Sequence, residues 1–298
     1  MKNNDKKIQK IVIASGKGGV GKSMIASSLA ILFSKADKNI IAIDCDVDAP
    51  NLAIWLGGIN SWDGSKKVST IEKPVIDLEK CNGCGACIRE CQFHSLSLQA
   101  KKAKLNHFLC EGCGVCKIVC PQKAIKMVTV DNAQINIKNK TKYNFPLISA
   151  QLFPGESGSG KIVAEAKKQA EKFKYDLMII DSAPGTGCPV NAALFDANFV
   201  ILVTEPTPSG FSDLEKILDV VNHFKIPYRL VINKWDMNPE FSQTIESKFS
   251  DKILGEISYD QNIFKAISSL IPIIETKLRA KKEITQIFDQ LKKILYGD

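Results

Sequence analysis

Residues 14–24 read ASGKGGVGKSM, with a lysine on each side of a run of glycines. Gly16-Lys17-Gly18-Gly19-Val20-Gly21-Lys22-Ser23 has the spacing G-x-x-x-x-G-K-[ST], whose chemistry is phosphate binding. Glycines let backbone N–H groups turn towards the phosphates, and the helix that follows presents its positive N-terminal end. Lys22 is expected to reach the β- and γ-phosphates and the Ser23 hydroxyl to ligate Mg2+. Gly16 through Met24 are therefore the candidate nucleotide-contacting residues, joined by Asn233 from VINKWD. Acidic strand ends complete the set: Asp44, Asp46 and Asp48 in IDCDVDAPNL, and Asp181 closing the apolar run of MIIDSAPGTG. Acids at strand ends are often only helix caps, but three motifs in this order point to one nucleotide site.

The chain has ten cysteines, and eight fall in two runs, Cys81-x2-Cys84-x2-Cys87-x3-Cys91 and Cys110-x2-Cys113-x2-Cys116-x3-Cys120-Pro121. This spacing, stated twice, resembles that of bacterial two-cluster ferredoxins. The resemblance implies one [4Fe–4S] cluster on Cys81, Cys84, Cys87 and Cys120. It implies a second on Cys110, Cys113, Cys116 and Cys91, because the fourth cysteine of each run reaches the other cube. Gly83, Gly85, Ala86, Gly112 and Gly114 leave room for clusters and for N–H···S bonds. Structural zinc is the alternative for C-x2-C pairs, and two identical quartets fit it poorly. Gln92 stands after Cys91 where Pro121 follows Cys120, so the halves are not equivalent.

Elements must position these groups. The 298 residues are 45% apolar and 24% charged, the composition of a soluble globular protein. No stretch approaches the about 18 consecutive apolar residues of a spanning helix. The basic start lacks a small-residue cleavage site, so it does not read as a signal peptide. A cytoplasmic location is expected, where clustered cysteines are more often metal ligands than disulfides. The net charge of +8 implies solubility or an acidic partner rather than nucleic-acid binding. From residue 8, short β-branched runs alternate with amphipathic stretches, which predicts an α/β fold, a mostly parallel sheet flanked by helices. Strands are expected at 10–15, 39–46, 175–183, 197–205, 228–236 and 253–258, and helices at 24–36, 162–173, 212–224, 240–249 and 276–295. Between 60 and 144 the rhythm stops. The expected division is a nucleotide domain, 1–59 and 145–298, carrying an inserted α+β ferredoxin-like domain, 60–144.

The form K-G-G-x-G-K-S resembles the deviant Walker A motif of the MinD-type ATPases, which include ParA proteins, Mrp-like iron–sulfur carriers and the nitrogenase iron protein. The resemblance implies that Lys17 crosses a nucleotide-sandwich homodimer and neutralises charge on the partner's phosphates, as an arginine finger does. ATP hydrolysis would then require the dimer. The resemblance further implies that Asp46 orients the attacking water and that Asp44 supports Mg2+ through its water shell. Asp181 would be the Walker B acid ahead of a mobile switch, and Asn233 would contact the base. Lys17, Lys22, Asp46 and Asp181 are thus the expected catalytic residues. VINKWD also resembles the N-K-x-D box of GTPases, which keeps GTP open through Asp236. With its two cysteine runs, the chain is identified as a member of the MinD-superfamily ATPases that contain an inserted ferredoxin domain.

The expected function is an ATP-hydrolysing switch that couples dimer closure to low-potential electron transfer to a redox partner protein. The alternative is an iron–sulfur cluster carrier or metalloenzyme maturation ATPase, as in Mrp-like relatives; a positioning switch with redox-sensing clusters is a third reading. Residues 155–161, GESGSGK, nearly repeat the phosphate-loop spacing, but Ile162 stands where Ser or Thr would ligate magnesium, so a turn capping the next helix is expected. Cys45 and Cys188 are read as buried, inert thiols, with an interfacial role for Cys188 as the alternative. Ile284, Ile287, Phe288, Leu291 and Leu295 fall at helical spacing beside lysines. Such a helix docks on the sheet or, as in MinD, lies on a membrane, and docking is favoured.

Overall fold

A computed structural model describes residues 9–297, and the basic segment before Gln9, on which the signal-peptide reading rests, lies outside the described residues. The strands are β1 (Gln9–Ala14), β2 (Ile40–Cys45), β3 (Gly64–Val68), β4 (Ile71–Ile76), β5 (Leu96–Gln99), β6 (Lys102–Leu105), β7 (Ile125–Val130), β8 (Ala133–Lys138), β9 (Leu147–Leu152), β10 (Leu177–Ser182), β11 (Phe199–Thr204), β12 (Tyr228–Asn233) and β13 (Ile253–Ile257). Nine of them form one sheet in the order β13-β12-β11-β1-β10-β2-β9-β8-β3. It is parallel from β13 to β9 and antiparallel at β8 and β3. In β2, β10 and β11 every residue is buried, as a sheet covered on both faces requires.

The helices are α1 (Lys22–Lys35), α2 (Leu52–Trp55), α3 (Ala86–Arg89), α4 (Val115–Ile118), α5 (Ser159–Ala170), α6 (Cys188–Leu194), α7 (Pro208–His223), α8 (Pro239–Phe249), α9 (Asn262–Ser268) and α10 (Arg279–Tyr296). Strand alternation divides the core. Ile11 and Ile13 share one cluster with α1 and α10, and Val12 and Ala14 share the other with α5, α6 and α7. In α10 the stripe Ile284, Ile287, Phe288 and Leu291 is buried against this core, with Phe288 edge-on to Phe33 at a centroid distance of 4.8 Å. That stripe therefore covers the sheet instead of facing a lipid surface. Among the described residues, no helix is long and apolar enough to cross a membrane.

The stretch 60–144 contributes to both parts of the molecule. Its outer strands β3 and β8 extend the nucleotide sheet, because Val68, Ala133 and Ile135 bury side chains in the same core as α5. The cysteines lie in what remains, residues 69–132. That part is built from the antiparallel pairs β4–β7 and β5–β6, the single-turn helices α3 and α4, and a small core of Cys87, Leu96, Ala103 and Ile125. At its neck the buried Asn132 accepts from the Thr70 N–H (2.8 Å).

Candidate functional site

The phosphate loop joins β1 to α1. Gly19 and Gly21 have φ of 78° and 98°, a left-handed backbone that favours glycine. Gly16 lies so close to the Asp213 carbonyl of α7 that no side chain fits there. Val20, 1% exposed, anchors the loop in the core, and its carbonyl accepts from Asn233 Nδ2 (2.8 Å). Lys22 starts α1 almost fully buried; burial lowers its pKa, and the nearby Asp181 and Asp46 charges oppose that shift.

Strand ends place the acids. Asp181 closes β10 fully buried, and neither carboxylate oxygen has a well-formed hydrogen bond. Burial pushes its pKa up to about 7, against the pull of the Ser23 hydroxyl and Lys22. Asp44 closes the paired strand β2, where burial and the Asp181 charge hold its pKa well above the carboxylate range. Its two oxygens accept from the Asp46 and Leu52 N–H groups (3.2 and 2.9 Å), so in this conformation it shapes the 46–52 loop. Asp46 is half-buried; burial raises its pKa and Lys22 opposes that rise, while Asp48 is exposed.

Lys17 reaches back over its own chain. Its ammonium donates to Glu205 Oε1 (2.9 Å) and Ser209 Oγ (3.4 Å), and Lys234 takes Glu205 Oε2 (3.0 Å). Burial would raise the Glu205 carboxyl, but the two lysines outweigh it and hold it low. Beside Asn233 and Met24 opens a cleft lined also by Gly21, Trp55, Tyr259 and Phe264. Asp236 does not line it; its Oδ1 accepts from the Tyr259 N–H at 2.7 Å. Glu205, Trp55, Tyr259 and Phe264 lie outside every local motif, and no signal in the sequence marks them.

In the cysteine region, Cys81, Cys84 and Cys87 of the first run and Cys120 of the second line one small pocket. Burial raises the Cys87 pKa, and Cys120, Cys81 and Cys84 add to it; Cys116 is pushed up to about 11 by burial and then by Cys110, Cys113 and Cys87. Cys91 packs in the same small core as Cys116. Backbone N–H groups of Ala103, Ser95 and Ala124 donate to Cys81, Cys91 and Cys120 sulfurs at 3.4, 3.4 and 3.3 Å. Gly83, Gly85, Gly112 and Gly114 all have φ between 70° and 78°, the same bend repeated in both runs. Among the described residues, no three or more His, Cys, Asp or Glu side chains converge on a single metal ion. Cys45 is buried and its thiol is pushed far up by that burial. Cys188 departs from the buried expectation: it is exposed, as the first residue of α6.

Known proteins resemble this chain in sequence and fold. Residues 11–273 match the family model described as the CobQ/CobB/MinD/ParA nucleotide binding domain. An uncharacterized protein of Methanocaldococcus jannaschii is 36% identical over 97% of this chain and 98% of its own. The iron–sulfur cluster carrier protein of Pyrococcus abyssi is 25% identical over 92% of this chain and 82% of its own. The septum site-determining protein MinD of Pyrococcus horikoshii, solved with Mg-ADP, superposes with a TM-score of 0.59 at 16% identity, covering 97% of this chain and 98% of that one. With the family model spanning most of the sheet and both strand-end acids, the chain belongs to the CobQ/CobB/MinD/ParA family of P-loop nucleotide-binding proteins.

Proposed function

We propose that the protein is a cytoplasmic, ATP-hydrolysing switch that works as a homodimer and carries two [4Fe–4S] clusters, coupling ATP-driven closure to electron transfer to a redox partner protein. The MinD/ParA family to which it belongs consists of ATPases. Adenine is favoured over guanine because Asp236, the guanine reader of the N-K-x-D reading, is engaged by the Tyr259 N–H and stands outside the cleft. Lys22 and the loop N–H groups bind phosphates, and Asp46 orients water. Lys17 leaves Glu205 to neutralise the partner's phosphates. Mg2+ fits Ser23 and the buried, unbonded oxygens of Asp181, which can hold the ion's water shell.

One observation carries the cluster reading: three cysteines of one run and the fourth of the other line a single cavity. N–H···S bonds at Cys81 and Cys120 and the glycine bends at Gly83 and Gly85 fit a cube on Cys81, Cys84, Cys87 and Cys120. A cube gives each thiolate its own iron, so its ligands need not converge on one point. Cys110, Cys113, Cys116 and Cys91 would hold the second. Such clusters would supply low-potential one-electron chemistry. The carrier reading has its own support in the Pyrococcus relative's name. Anaerobic protein is expected to carry about eight iron atoms per chain, with midpoint potentials that shift on adding Mg-ATP and fail to shift in Lys17→Ala. Zinc in place of iron would sink the cluster reading. Potentials blind to nucleotide, with clusters passing to an apo-acceptor, would install the carrier reading instead.

A further inference from the structure

The Gly/Ser-rich stretch 155–161 lies between the nucleotide site and the cysteines. The Gly185 N–H donates to the Ser15 carbonyl (2.9 Å), which ties the segment after Asp181 to the phosphate loop. That segment runs into α6 at Cys188. A Cβ on Gly160 would stand 3.0 Å from the Cys188 carbonyl oxygen, so the starts of α5 and α6 touch without slack. One residue back from α5, Gly158 packs on Ile71 and Thr70, and the Ser157 carbonyl accepts from Asn132 Nδ2 (2.7 Å). Glu156 Oε2 meets the ammonium of Lys73 at 2.7 Å as an ion pair whose angles fall outside those of a hydrogen bond, and the Lys73 side chain is only 2% exposed. The same ammonium donates to the His107 carbonyl at 2.8 Å. His107–Leu109 is the single turn that leads into Cys110, and its Phe108 ring lies against Gly155.

From this chain of contacts we infer that Glu156 is a positioning residue: through Lys73 it holds the turn before Cys110, so that nucleotide state after Asp181 is passed to the second cysteine run. The inference rests on the proposed pairing of ATP with clusters and names the residues that join them. A buried ammonium is stable only with its carboxylate, so Lys73 must follow Glu156 when the loop shifts. The His107 carbonyl, bonded to that ammonium, follows in turn.

The test uses the anaerobic holoprotein with and without Mg-ATP, reading two quantities in the same samples: hydrogen exchange of amides 107–120 and the midpoint potentials. Glu156→Gln keeps the side-chain shape and an acceptor oxygen. Gly160→Ala perturbs the contact with Cys188 of α6 at a distance from the two cysteine runs. Glu165→Gln, at the outlying Lys66–Glu165 pair (3.9 Å), is the control. Wild type and control are expected to respond to nucleotide in both readouts. Glu156→Gln and Gly160→Ala are expected to bind nucleotide and retain iron, with the response cut by about two- to thirty-fold, the range of coupling that single residues carry. A wild-type response kept in full by Glu156→Gln overturns this inference and leaves the proposed function standing. If Glu156→Gln loses its clusters, Gly160→Ala decides alone. No response in wild type overturns the coupling reading and this inference together.

Discussion

In the proposed dimer, Lys17 must leave one carboxylate before it can reach a partner's phosphates. It is bonded to Glu205 at 2.9 Å, with Lys234 on the second oxygen at 3.0 Å. Glu205→Gln keeps the shape and removes the charge. The Lys17 side chain is 39% exposed and Glu205 13%, so solvent screens most of the attraction. A pair of this kind contributes about 0.5–1 kcal/mol, or roughly two- to five-fold in an equilibrium. Two such pairs break in each dimer, so the protein concentration that gives half-maximal ATP turnover is expected to fall by the square of that factor, roughly five- to thirty-fold, in Glu205→Gln, with the plateau rate unchanged. The assay is steady-state hydrolysis at saturating Mg-ATP across protein concentration, beside Lys17→Ala, which should show no concentration-dependent activation. A lower plateau with an unmoved midpoint would refute the reasoning, because Glu205 would then be aligning Lys17 for catalysis instead of restraining it.

Asp181 titrates at about 7, raised first by burial. The raised pKa makes the empty folded protein less stable relative to the unfolded chain as pH climbs from the ordinary carboxylate value towards about 7. Mg-nucleotide needs the ionised carboxylate, so affinity should rise with pH up to about 7 and then level off, and Asp181→Asn should flatten the profile; calorimetric titration showing a flat wild-type curve contradicts this. Leu291→Ala empties a fully buried position of α10 and should lower unfolding free energy by about 2–5 kcal/mol in urea melts. A change below about 0.5 kcal/mol, the scale of surface substitutions, would mean the helix is not docked. Asp236→Asn keeps the acceptor for the Tyr259 N–H and should leave the preference for ATP over GTP unchanged in competition binding; a shift in preference would return Asp236 to the base site.

What the sequence determined by itself is local. The glycine loop, the strand-end acids and the 2-2-3 cysteine spacing can be read directly, because each motif imposes its backbone bends within a few residues; the φ values at Gly19, Gly21, Gly83 and Gly112 follow from that. The parallel sheet was legible for the same reason, since strands buried on both faces are continuous apolar runs. Pairing across long separations was not. The stretch 60–144 reads as an insert, and nothing local to 133–138 says that it extends the nucleotide sheet. An apolar stripe at 284–291 has the same spacing on a membrane as on a core, and the presence of Phe33 and its neighbours opposite decides for the core. Lys17 meets Glu205 across 188 residues, and Lys73 meets Glu156 across the whole cysteine region. Such charge pairs leave no periodicity in the chain. Only the packing of β4 against the 153–158 loop puts an ammonium out of water beside the carboxylate it then requires.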